Sequence, residues 1–263
     1  MFVIGERING MFKEVKKAIE ERDAEAIQKL ALRQLEAGAD ALDVNVGPTK
    51  GGALNNMQWL IETIQEVTDA PICVDTAKFE VMAEALKRCE NPTIINSSKA
   101  SPDALDRYVP LAVETNSQLI ALTIDETGVP QDVDGRVAMG ATIVTKAMGH
   151  GLPIPDLYID PVILPVNVAP KQPAAVLGAI SQLRMISDPP PKFVIGLSNV
   201  SQNCKERSLL NSAFVAMCVG AGLDAAIMDA FDEQLMHAAI TAEVLLEKQL
   251  YCDDYIAAYM SNR

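Results

Sequence analysis

Acidic and amide side chains recur where short apolar runs end. Glu6 and Asn9 follow FVI at 2–4, Asp43 and Asn45 lie in ALDVNV at 41–46, and Asp75 ends PICVD at 71–75. Asn96 ends TIIN at 93–96, Asp160 ends LYID at 157–160, Asn199 follows FVIGL at 193–197, and Asp229 ends AAIMD at 225–229. Any one of them could cap the following helix or close a turn, which Asp and Asn commonly do. As a ring they have a different meaning. Carboxylates crowded at one mouth repel one another unless something with several N–H donors sits among them.

A pterin is such a ligand. Its 2-amino group and N3–H form a donor pair that one carboxylate accepts bidentately, while O4 and N5 face amide-type partners. Asp75, Asn96 and Asp160 have the matching chemistry. Carboxylates alone could hold Mg²⁺ or Ca²⁺, but the interleaved amides favour an organic ligand. No HxxxH or Cys/His cluster is present, and His150 and His237 fall on or beside predicted helices, so no metal site is expected. No motif supports a Ser-His-Asp nucleophile.

The stretch FVIGLSNVSQNC at 193–204 concentrates the same chemistry. An apolar run enters Gly196 and breaks into Ser198, Asn199, Ser201, Gln202 and Asn203, as a buried parallel strand does on leaving a sheet. Gly196 has no Cβ to hold a ligand away. The loop offers neutral donors and acceptors without a local acid or base, which suits orienting a heterocycle.

Such residues need a scaffold that brings distant strand ends together. Eight strand-like runs occur: the seven above and 119–124 (LIALTI). Helical patterns lie at 13–37, 54–68, 78–89, 102–115, 133–148, 172–187, 207–221 and 232–248, with a further candidate at 251–260. Strands alternating with helices of 12 or more residues predict a parallel sheet, and eight units in 263 residues predict a closed (β/α)₈ barrel forming one domain over 1–263. Active sites of that fold lie at the C-terminal strand mouths, where the polar residues fall.

Composition removes other classes. A formal charge of −13 argues against nucleic acid and anionic membranes, which select basic patches. Hydrophobic content of 49% supplies a core, and 5% aromatics means that core is mostly aliphatic. Five scattered cysteines without a CxxC pair build neither a disulfide framework nor an iron–sulfur site, and reduced thiols with no signal-peptide pattern give a cytoplasmic expectation.

The motifs GERING at 5–10, LDVNVG at 42–47, VDT at 74–76, INSS at 95–98, YIDP at 158–161, LPVNV at 164–168 and GLSNVSQNCKER at 196–207 resemble one enzyme family along the whole chain. They are similar to methyltransferases that move the methyl group of 5-methyltetrahydrofolate to the cobalt of a corrinoid/iron–sulfur protein in the reductive acetyl-CoA pathway. GERIN and LDVNVG are shared with the folate domain of cobalamin-dependent methionine synthase; the last motif and YCD at 251–253 point to the corrinoid/iron–sulfur branch. The resemblance implies a homodimer that binds the pterin through Asp75, Asn96 and Asp160, with Asn199 at the methylated N5. Gly196, Ser198, Gln202 and Arg207 would line the same mouth, although a surface charge at a helix start is the other reading of Arg207. No cofactor would be held by the chain itself: methyltetrahydrofolate is the donor, and the partner protein brings the cobamide. Dihydropteroate synthases resemble it more distantly, and this chain lacks the lysine and Ser-Arg-His elements expected of them. A pterin transferase of that type and a non-catalytic pterin- or corrinoid-binding subunit are the alternatives.

Overall fold

The computed structural model describes residues 1–48 and 52–248. Strands β1 (Phe2–Asn9), β2 (Ala41–Asn45), β3 (Ile72–Asp75), β4 (Thr93–Lys99), β5 (Gln118–Leu122), β6 (Leu157–Asp160), β7 (Lys192–Gly196) and β8 (Ala225–Met228) pair in parallel, in chain order, and β8 closes on β1. Helices α1 (Lys13–Glu21) and α2 (Ala24–Glu36) follow β1; α3 (Ala53–Gln65), α4 (Phe79–Leu86), α5 (Pro102–Glu114), α6 (Val133–Gly149), α7 (Gln172–Leu183), α8 (Arg207–Ala221) and α9 (Glu233–Leu245) each follow one further strand. The fold is the (β/α)₈ barrel that the alternation predicts. No helix among the described residues is long and apolar enough to cross a membrane. The candidate helix at 251–260 and the YCD motif lie outside the described residues.

The pattern at 13–37 reads as one helix; the structure has two. Arg22 adopts the left-handed conformation, with φ 56°, and Asp23 then caps α2 through its side chain on the Ala26 N–H. No glycine marks the break, and the apolar stripe runs on across it.

Inside the barrel, each strand contributes one residue to a compact buried layer: Ile4, Ala41, Cys73, Ile94, Ile120, Tyr158, Val194 and Ala225. Side chains alternate along a strand, so the residue two places further on faces the same interior. Those residues are Glu6, Asp43, Asp75, Asn96, Leu122, Asp160, Gly196 and Ile227. An apolar floor therefore carries a mostly polar storey above it, toward the C-terminal mouth. The β1–β2 register shifts between Gly5 and Ile8, and the β4–β5 register between Asn96 and Ser98. Such irregularities re-aim side chains, and both fall where a strand presents a polar residue, Glu6 or Asn96.

Candidate active site at the strand mouths

Asp43 is buried between two neighbours on adjoining strands. Asn96 Nδ2 donates to its Oδ1 at 3.0 Å, and the Cys73 thiol hydrogen bonds to it from β3. Burial is the main reason its carboxyl is raised well above the usual range, with Asp75 adding repulsion. Asp75 accepts from Asn45 Nδ2 at 2.6 Å, while Asn45 Oδ1 takes the Gly47 N–H at 2.6 Å. Its carboxyl is also raised by burial. The register puts Asn45, Asp75 and Asn96 side by side on β2, β3 and β4. Asp75 and Asn96 open into one cavity of about 250 Å³, with Ser97, Lys99, Tyr108 and Leu122 among its walls.

Asp160 stands on the other side. Its oxygens accept the Val162 N–H at 2.7 Å and the Gly196 N–H at 3.3 Å, and burial pushes its carboxyl up to about 6. It thus joins the end of β6 to the end of β7. Desolvation, rather than mutual repulsion, is the first cause for every raised carboxyl of the mouth. The expectation from crowding is corrected on that point: these acids are shielded from water more than they oppose one another.

Beyond Gly196 the chain makes one 3₁₀ turn, Leu197–Ser201. A Cβ on Gly196 would lie 3.0 Å from Asn199 Nδ2, so the glycine lets the amide fold close over the strand end. Ser198 Oγ donates to Glu6 Oε1 at 2.7 Å. Arg207 donates through Nε to Ser201 Oγ at 3.1 Å and through Nη2 to the Ser198 carbonyl at 3.2 Å. Arg207 is exposed at the start of α8, where the surface-charge reading puts it, and it also braces this turn. Gln202 is exposed, and its N–H closes the turn on the Asn199 carbonyl at 3.2 Å.

The turn-closing reading holds for Asn9, whose Oδ1 takes the Met11 N–H, and in part for Asp229, which takes the Phe231 N–H and faces Arg7 at 3.3 Å. His150 ends α6 on Asp106 at 2.8 Å, a helix-end position as expected. A larger cavity of about 550 Å³ lies between α8 and α9, away from the strand mouths, and is lined mainly by small and apolar side chains.

Sequence reasoning passed over Arg136 on α6. It is fully buried, and its five N–H donors reach the carbonyls of Pro161, Val162, Pro130 and Asp132 and the Gln172 amide oxygen. It ties the loop after β6, which presents Asp160, to the loop before α6. Its place on the inner stripe of α6, with Gly140, Ile143, Val144 and Ala147, was a readable signal.

Similarity to known proteins shows the family and the fold. The profile of the family described as pterin binding enzyme matches residues 7–229. A methylcorrinoid:tetrahydrofolate methyltransferase of Eubacterium limosum is 30% identical over 100% of this chain and 97% of its own length. A methionine synthase of Mycobacterium leprae is 27% identical over 88% of this chain, which corresponds to 20% of that larger protein. Among solved structures, Yersinia pestis dihydropteroate synthase in a sulfonamide drug complex superposes with a TM-score of 0.73 at 15% identity, covering 94% of each chain, a likeness of fold. The chain belongs to the pterin-binding enzyme family, in which it is similar over its full length to a folate-related corrinoid methyltransferase.

Proposed function

We propose that the chain transfers the N5-methyl group of 5-methyltetrahydrofolate to Co(I) of a corrinoid protein. The observation that carries this reading is a set of polar side chains, buried Asn96 and Asp160 and half-buried Asp75, at one mouth with the exposed amide of Asn199. Asp75, Asn96 and Asp160 hold the pterin's N–H and carbonyl edge. Gly196, Ser198, Gln202 and Arg207 shape the wall that presents Asn199.

A methyl group on a tertiary amine is a poor electrophile, because the departing nitrogen would be a strongly basic anion. Protonation at N5 lets it leave as a neutral amine. Asn199 holds no transferable proton, so its carbonyl stabilises the N–H as charge develops there. Preorganised dipoles of this kind are worth several kcal/mol. Co(I) is the nucleophile, so the chain needs none. Cys73, in the buried layer below these acids, is raised well above its ordinary value by burial and by Asp43, which keeps it an inert S–H.

The GLSNVSQNCKER motif at 196–207 supports a corrinoid/iron–sulfur protein as acceptor, in the reductive acetyl-CoA pathway, with a cytoplasmic homodimer as the working form. A second reading has the reverse direction as the physiological one, favoured by the name of the Eubacterium limosum relative, which places the methyl group first on the corrinoid. Anaerobic mixing with methyltetrahydrofolate and Co(I) corrinoid/iron–sulfur protein tests the proposal. Loss of the Co(I) absorption with one tetrahydrofolate formed per methyl group is the expected result. Faster turnover of tetrahydrofolate with a methylcorrinoid protein favours the second reading. No methyl transfer either way, with condensation of pterin pyrophosphate and p-aminobenzoate, would return the chain to pterin transfer.

A further inference from the structure

N5 must gain a proton when it loses its methyl group, and Asn199 has none to give. The acids of the mouth differ in whether they can pass one on. Asp43 is sealed beneath the Asn96 amide and the Cys73 thiol. Asp75 is bonded to an amide N–H of Asn45, and both oxygens of Asp160 accept backbone N–H groups. Amide N–H groups do not relay protons, whereas a hydroxyl accepts one while donating another. Among the described residues, Glu6 is the acid of the ring whose hydrogen-bond partner is a hydroxyl, that of Ser198 at 2.7 Å. Ser198 adjoins Asn199 in the same 3₁₀ turn.

We infer that Glu6, acting through the Ser198 hydroxyl, stores the proton that N5 takes up when the methyl group leaves. The inference rests on the methyl-transfer reading. In the step, the N5–CH₃ bond breaks as the methyl carbon bonds to Co(I), and the N–C electron pair stays on N5. N5 takes a proton across the mouth, through water, from the Ser198 hydroxyl. Ser198 takes the proton of the Glu6 carboxyl, which is left as carboxylate and is reprotonated from solvent. Run in reverse, the Glu6 carboxylate takes the proton that N5 sheds on methylation.

The surroundings of Glu6 suit a store rather than a fixed ion. Burial and the Asp229 charge beyond β8 push its carboxyl up to about 7, against the lowering effects of Ser198, Arg207 and Arg7. Asp43 on β2 also senses its charge. The two guanidiniums are engaged elsewhere, Arg7 with Asp229 and Glu14 and Arg207 with the Ser198 carbonyl and Ser201. Neither pairs with Glu6 to hold it ionised.

Single-turnover methyl transfer from methyltetrahydrofolate to Co(I) cobalamin, at saturating folate and from pH 5.5 to 8.5, tests the inference in wild type, Glu6→Gln, Ser198→Ala and the double variant. The wild-type rate should fall as pH rises through about 7. Both single variants should lose that inflection and run about 10²-fold slower at pH 6, the scale of one general acid. The double variant should be no slower than either single one, because the two residues form one relay. Folate affinity of Glu6→Gln, titrated separately, should change less than about threefold. If Glu6→Gln keeps the inflection and the rate, the inference is wrong while methyl transfer stands. A normal profile in Ser198→Ala overturns it equally and does not depend on Glu6→Gln folding. A wild-type protein inert toward Co(I) cobalamin and toward the corrinoid/iron–sulfur protein overturns the methyl-transfer reading and this inference with it.

Discussion

On the β2–β3–β4 side of the mouth the polar groups are already tied to one another, whereas on the β7–α8 side two amides face outward. Asp43 with Asn96 and Asn45 with Asp75 interlock across three adjacent strands and lie largely out of solvent. Asn199 and Gln202 are exposed on a turn whose backbone Arg207 holds from outside. The difference matches two tasks. A site that grips a planar ring gains from groups fixed before the ring arrives, since no ordering is then needed on binding. A group that acts on a changing charge contributes by binding the transition state more strongly than the ground state. The interlocked side is read as the anchor and the open side as the place of reaction.

The largest effect that could break this division is at Asn199. Asn199→Ala should lower kcat for methyl transfer by about 10²–10³, the scale for one preorganised polar partner. If Asn199 only shapes the turn, the variant should lose stability and react normally in the folded fraction. Smaller is the expected loss at the anchors. Asp75→Ala and Asp160→Ala should each weaken folate binding by about one to two decades, or about 1.5–3 kcal/mol for a charge-assisted contact. Unchanged folate titrations in both would dissolve the anchor. Arg207→Lys sharpens the comparison further: an ammonium cannot make the forked contact to Ser201 and the Ser198 carbonyl. Losing part of an exposed brace should cost about 1 kcal/mol, read as a several-fold drop in kcat with folate affinity nearly kept.

The smallest effect is on stability. Glu6 at about 7 and Asp160 at about 6 are acids raised by folding above their ordinary values of 4.5 and 3.8. Between those limits the folded chain holds more protons than the unfolded chain, so stability present at low pH is lost as pH rises through 6 to 7. Asp106, Asp125 and Glu80 are lowered, and their opposite contribution falls below that window. The melting temperature of the ligand-free protein should therefore be higher at pH 5.5 than at pH 7.5. Glu6→Gln should reduce the difference, with Asp160, Asp43 and Asp75 keeping the rest, and a melting temperature that climbs from pH 5.5 to 7.5 would contradict the assignment.

The barrel was legible because its strands are short apolar runs and its helices carry a clear period. Glu6, Asp43, Asp75, Asn96 and Asp160 were legible for a related reason: each follows an apolar floor residue by two, as Asp75 follows Cys73 and Asp160 follows Tyr158. What escaped depends on distances between remote segments. The β1 run looks finished at Ile4, but the strand continues to Asn9 through an irregular register that no local pattern announces. The break at Arg22 leaves the apolar stripe of α1 and α2 unbroken. Arg136 reads as a helix-face charge until two loops close over it, and the Glu6–Ser198 bond joins residues 192 apart.

One measurement tests the division of the mouth most directly: single-turnover methyl transfer to Co(I) corrinoid by Asn199→Ala and Asp75→Ala, each folded and saturated with methyltetrahydrofolate. Saturation removes the cost of weak binding and leaves the chemical step. The predicted result is that Asp75→Ala recovers to within a few-fold of wild type while Asn199→Ala stays about 10²–10³ slower. Equal recovery of both variants, or a persistent loss in Asp75→Ala with a normal rate in Asn199→Ala, would contradict it.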